Sequence, residues 1–129
     1  MAVLSVACSR QKTLSRDDLR SKVKSAISLA TEGQVFLGYV REQRPTRAFA
    51  KGHVEYLGDE LAKAEQELGH STPEPGIEPA LREYQTNLDA LRLELPNIST
   101  IISNPTAQPD LEERLVNIRK ALESANRRL

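Results

Sequence analysis

Four cations, Arg41, Arg44, Arg47 and Lys51, fall within one short stretch whose single acid is Glu42. Guanidinium forks bind phosphate and carboxylate oxygens in pairs, so this cluster is the first place to look for chemistry: a dock for an anion, an acidic protein surface or lipid headgroups. The competing reading is a solvated charged turn, and it is the stronger of the two, because nucleic-acid surfaces add aromatic stacking or a wider basic stripe. Tyr39 and Phe49 stand nearby, but their helical spacing assigns them to core packing. Glu67 and His70 have the spacing of a carboxylate-bridged di-metal helix. Such a site needs two copies of that motif and two further inward glutamates; a single copy at a helix end, with Gly69 inside it, predicts no metal. His53 lies beside a helix seam and is read as packed or partly exposed rather than catalytic.

No covalent haem motif, phosphate-cradling glycine loop or nucleophile elbow is present. Carboxylates such as Glu55, Asp59, Glu94 and Glu112 are scattered along helix faces. Without an apolar pocket to move a proton affinity they do not define an acid–base pair. The expectation is a protein that is not an enzyme and holds no cofactor.

The one cysteine permits neither an intrachain disulfide nor a multi-cysteine metal site. Met1-Ala2-Val3-Leu4-Ser5-Val6-Ala7-Cys8 is an apolar run ending in a small residue before Cys, followed by the polar, basic Ser9-Arg10-Gln11-Lys12. This order resembles the end of a bacterial lipoprotein signal, and the resemblance implies a lipid on Cys8 and a place in the bacterial envelope or periplasm. The basic start and longer apolar stretch of such signals are missing upstream, and Ser5 stands where Leu is common. Two explanations stay open: a start codon assigned too late, or an ordinary N-terminus with an idle cysteine and a cytoplasmic protein. No apolar stretch approaches the ~20 residues of a transmembrane span, so a lipid on Cys8 would be the only membrane attachment.

The elements that must position these groups are four stretches with apolar residues at alternating steps of three and four. Their seams are Leu19-Val23-Ala26-Ala30-Gly33-Leu37-Val40, Ala50-Val54-Leu57-Leu61-Ala64-Leu68, Leu81-Tyr84-Leu88-Leu91-Leu95 and Leu111-Leu115-Ile118-Leu122-Ala125-Leu129. The prediction is an all-α, up-and-down antiparallel four-helix bundle with a long first hairpin: residues 1–14 a flexible terminus or signal remnant, and residues 15–129 one domain with helices at about 16–43, 46–68, 78–95 and 110–128. Ser15 with Asp18, Thr46, and Asp110 with Glu113 are the expected N-terminal caps. Pro45 ends the first helix, Gly69 the second, and Pro79 opens the third. Residues 70–76 read as a linker. The first helix outreaches the third, so Ile98, Ile101 and Ile102 are expected to fold a short extra turn over the far end of the first hairpin.

Lysine and arginine total 18, as do aspartate and glutamate, which removes the electrostatic case for wholesale nucleic-acid binding. The balance conceals a polarity, with nine basic and four acidic residues in 1–50 against four and ten in 51–94. Attraction between these blocks, Arg20 and Lys24 facing Glu65 and Glu67, would fix the hairpin pairing. Gly33, Gly38, Gly52 and Gly58 lie inside the hairpin helices, and the expectation is that they let the two backbones approach closely. The functional expectation is a non-catalytic bacterial bundle acting through contact with an unknown protein partner, with the basic tip (Arg41, Arg44, Arg47 and Lys51) and the hairpin around it as the contact surface, and with self-association open to it because heptad seams can be satisfied between chains. The alternative is a cytoplasmic module binding an anionic ligand or nucleic acid through the basic tip.

Overall fold

A computed structural model describes residues 12–129. Strand β1 (Lys12–Leu14) leads into helix α1 (Arg16–Gln43), which turns into α2 (Arg47–Leu68). Strand β2 (Ser71–Pro73), α3 (Glu78–Glu94), the short α4 (Asn97–Ser103) and α5 (Leu111–Arg128) follow. The four long helices run alternately up and down and pack as an all-α bundle, with α1 against α5 as its most extensive seam.

Helix starts follow local chemistry. Ser15 Oγ accepts from the Asp18 N–H at 3.1 Å while the Ser15 N–H donates to Asp18 Oδ2 at 3.1 Å, a reciprocal cap that satisfies two otherwise orphaned donors. Thr46 Oγ1 accepts from the Phe49 N–H at 3.2 Å and starts α2. Asp110 behaves differently from expectation. Its backbone sits at φ −94° and ψ 5° and its side chain makes no capping hydrogen bond, because a cap needs the extended backbone that aims the carboxylate back at the helix.

The core is aliphatic, built from the predicted seams together with Tyr84 and Ile77. At 1.5 Å per residue α1 is about 42 Å long and α3 about 26 Å. Helix α4 makes good the difference: Ile98 and Ile101 are fully buried over the far end of the hairpin, each worth roughly 1.5–3 kcal/mol of removal from water. The glycines act differently from expectation. A Cβ on Gly33 would stand 2.6 Å from Leu95 Cδ2, so this glycine admits a side chain from the end of α3. At Gly38, Gly52 and Gly58 a Cβ would meet nothing within 4 Å, which removes backbone contact across the hairpin as their explanation.

Two features escape the helical pattern. Strands β1 and β2 pair in parallel, Lys12 with Ser71 through Leu14 with Pro73, and Leu14 is buried in the core. The ladder extends through the Glu74 N–H to the Leu14 carbonyl at 2.9 Å, and Glu74 Oε1 accepts from the Arg16 N–H at 2.7 Å. Among the described residues, ion pairing between the basic block of α1 and the acidic block of α2 narrows to Lys22 Nζ with Glu67 Oε1 at 3.3 Å. Arg20 turns to Asp17 and the Leu129 carbonyl, and Glu65 faces Arg92 on α3.

Candidate functional site

The four predicted tip cations differ in their surroundings. Arg41 is half-buried and its Nη2 donates to the Gln108 carbonyl at 2.9 Å. Gln108 Oε1 in turn accepts from Arg114 Nη2 at 2.8 Å, and Arg114 Nε reaches Glu94 Oε2 at 2.8 Å. Arg41 therefore fixes the α4–α5 loop, where Gln108 adopts the uncommon positive φ of 52°. Arg44 ends α1 in the left-handed region, at φ 48° and ψ 62°. Arg44, Arg47 and Lys51 are exposed, and no ion pair among the described residues engages them. Cys8 lies outside the described residues.

A feature that sequence reasoning missed lies along the other flank of the hairpin. Tyr39 and Phe49, expected in the core, are 42% and 54% exposed, beside Tyr56 at 48% and Val35 at 66%. The reason is angular. Successive helical residues turn by about 100°, so the buried Val40 and Ala50 leave their neighbours Tyr39 and Phe49 at the edge of each stripe. Phe36 underlies this face and is buried. Its ring centroid is 4.2 Å from His53 and 6.1 Å from Tyr39; Tyr39 lies 6.1 Å from Phe49, and His53 lies 5.7 Å from Tyr56. Four of the chain's five Phe and Tyr residues are in this one cluster. The available signal was mirror spacing about the Arg44-Pro45 turn, which sets Phe36 level with His53 and Tyr39 level with Phe49.

The same mirror pairing continues toward the foot of the hairpin as a cleft of about 310 Å³. Ser25, Ser28 and Glu32 of α1 form one wall, and Tyr56, Glu60 and Ala64 of α2 the other. Leu29, Tyr84 and Leu88 lie at the floor, all buried. Burial, reinforced by the Glu67 carboxylate, pushes the Tyr84 phenol up to about 12, since a phenolate would lose its hydration. Two carboxylates line the cleft. Glu32 Oε1 stands 3.8 Å from His53 Nε2, and Glu60 Oε2 stands 3.1 Å from the exposed Lys63 Nζ, whose ammonium is held above its ordinary range by that hydrogen bond. The basic residues of α2 point elsewhere: Arg47 and Lys51 lie about 160° around the helix from Phe49.

Other polar candidates do not converge. His70 is exposed at the end of the second hairpin helix while Glu67 is engaged by Lys22. No group of three or more His, Cys, Asp or Glu side chains among the described residues is arranged to hold a metal ion. No helix among the described residues is long and apolar enough to cross a membrane.

The fold and site define an up-and-down helical bundle with an exposed aromatic face on its first hairpin. No protein-family model, curated protein or solved structure matches the chain.

Proposed function

We propose that this chain is a non-catalytic bacterial helical-bundle protein that acts through protein–protein contact, and that the aromatic flank of the α1–α2 hairpin is its contact face. The observation that carries this reading is the placement of Val35, Tyr39, Phe49 and Tyr56, four of the five large apolar side chains exposed among the described residues, on that one flank. Clustered exposed apolar side chains mark interaction surfaces, and aromatic residues are enriched among those that dominate interface energies. In the same reading Cys8 carries the lipid implied by the sequence before it and tethers the bundle in the bacterial envelope.

A second reading keeps the tip as an anion-binding surface on a cytoplasmic protein, favoured by the exposure of Arg44, Arg47 and Lys51 without ion pairs among the described residues. The two separate by position-specific photo-crosslinking in native cells, with the photoreactive residue placed in turn at Phe49, Arg47 and Leu93. Leu93 is exposed on α3 and serves as the control. Protein adducts of discrete mass from position 49, absent from position 93, support the aromatic contact face. Nuclease-sensitive adducts confined to position 47 favour the tip. Equal labelling from all three positions defeats both readings.

A further inference from the structure

We infer that the cleft between α1 and α2 receives a basic side chain, an arginine or lysine of the partner polypeptide, between the Tyr56 ring and the carboxylates of Glu32 and Glu60. This deepens the protein-contact reading and rests on it. Charge comes first. Among the described residues the cleft is lined by two carboxylates and by no cation; Lys63 meets Glu60 from outside it, and His53 adds charge near Glu32 only when protonated. A cation entering there gains both carboxylates and the face of Tyr56, whose ring quadrupole attracts positive charge.

Tyr84 supplies an independent indication. Its side chain is only 2% exposed and lines the cleft, yet its hydroxyl makes no hydrogen bond to any described residue. The hydroxyl oxygen is not sealed off, since Asn126 Oδ1 is the only fully buried side-chain polar atom without a partner among the described residues, and the phenol oxygen can accept from a guanidinium or ammonium donor at the cleft floor. Ser25 and Ser28 add two further acceptors on the α1 wall. The apolar part of the floor, Leu29 and Leu88, suits the methylene stem of a long basic side chain, which prefers apolar surface along its length and polar groups at its head. The volume, about 310 Å³, is at the lower bound of ligand pockets and fits one such side chain better than a cofactor. From Tyr56 the aromatic face continues to His53, Phe36 and Phe49, a surface for the residues flanking the inserted one.

The test uses the full chain and a capped Gly-Arg-Gly tripeptide, followed through the Tyr ring and Glu side-chain resonances, with the Gly-citrulline-Gly peptide as a neutral isostere. The expected result is saturable, low-millimolar binding that shifts Tyr56 and Tyr84, with about tenfold weaker binding of the citrulline peptide, since a charged donor to a carboxylate is worth roughly twice a neutral one. Glu32→Gln with Glu60→Gln weakens the arginine peptide by about tenfold; both changes are near-isosteric and lie on the wall of an open cleft. Tyr56→Ala is the second variant, expected to weaken binding about threefold or more through loss of the ring.

Equal binding of both peptides, shifts that map to the tip, or unchanged affinity in the glutamine variant overturns the inference. So does a dimer in sedimentation that shields Tyr56 and binds no peptide, which assigns the face to a second copy of this chain. Failure of the two readings is distinguishable. Crosslinks from position 49 without peptide binding overturn the cation site alone, whereas peptide binding without crosslinks upholds the site and overturns the protein-contact reading.

Discussion

Replacing Gly33 by alanine sets two effects of known sign against each other. Alanine in a helix interior gains about 1 kcal/mol over glycine, but its methyl would stand 2.6 Å from Leu95 Cδ2. Leu95 is fully buried and cannot swing into solvent, so the core must shift at a typical cost of ~1–3 kcal/mol. Gly33→Ala is therefore expected to leave stability unchanged or lower it by up to ~2 kcal/mol. Leu95→Ala alone should cost ~2–5 kcal/mol, the range for emptying a buried leucine site. In the double variant the methyl introduced at position 33 occupies space that the Leu95 side chain has vacated. Its overpacking disappears and the cavity shrinks, so the double variant should be more stable than the sum of the single changes by about 1–3 kcal/mol. Urea unfolding of the wild type and three variants, read by circular dichroism and compared at a common m-value, measures that coupling. Additivity within ~0.5 kcal/mol would refute the assignment of Gly33 to the Leu95 contact.

The open glycines should respond with the opposite sign: Gly52→Ala and Gly58→Ala are each expected to raise stability by about 1 kcal/mol in the same assay, and a loss at either site would reveal a contact that the fold does not contain. Ser15→Ala removes the acceptor for the Asp18 N–H and should cost ~1 kcal/mol, with Ser15→Thr retaining most of it. Tyr84 makes stability fall at high pH. Its phenol is pushed up to about 12 in the folded chain against an ordinary 10, so the unfolded chain loses the proton first; the stabilisation is complete below about pH 10 and declines as pH rises toward 12, by at most about 3 kcal/mol. Tyr84→Phe should flatten that decline, and an unchanged alkaline profile would remove Tyr84 as its origin.

The helices were legible because each apolar seam is local and periodic. Leu111, Leu115, Ile118 and Leu122 needed no knowledge of the rest of the chain to be placed on one buried stripe, and Ser15 with Asp18 carries its cap within three residues. The extra turn was legible for a related reason, since Ile98 and Ile101 had to be removed from water and only the far end of the hairpin lacked cover. The β1–β2 pair has no such signal. Three-residue strands are too short for alternation to register, and their pairing joins Lys12 to Ser71 across two whole helices. Tyr39 and Phe49 were misplaced because helical spacing reports which residues share a stripe and not how wide the buried stripe is. Arg41 differed from its neighbours for an equally non-local reason. Its partner is the Gln108 carbonyl, a backbone atom whose position depends on how the α4–α5 loop closes.

The β1–β2 pair also has a mechanical consequence. Because the strands are parallel and tied by Glu74 to both Leu14 and Arg16, a pull on the chain ahead of Lys12 along the strand loads the ladder in shear, with its hydrogen bonds resisting together. Part of the load then passes sideways into Ser71–Pro73 and reaches the junction of α2 and α3, which relieves the first turn of α1. A chain held by its leading segment would hang from two places in its own sequence at once, the start of α1 and the junction of α2 and α3.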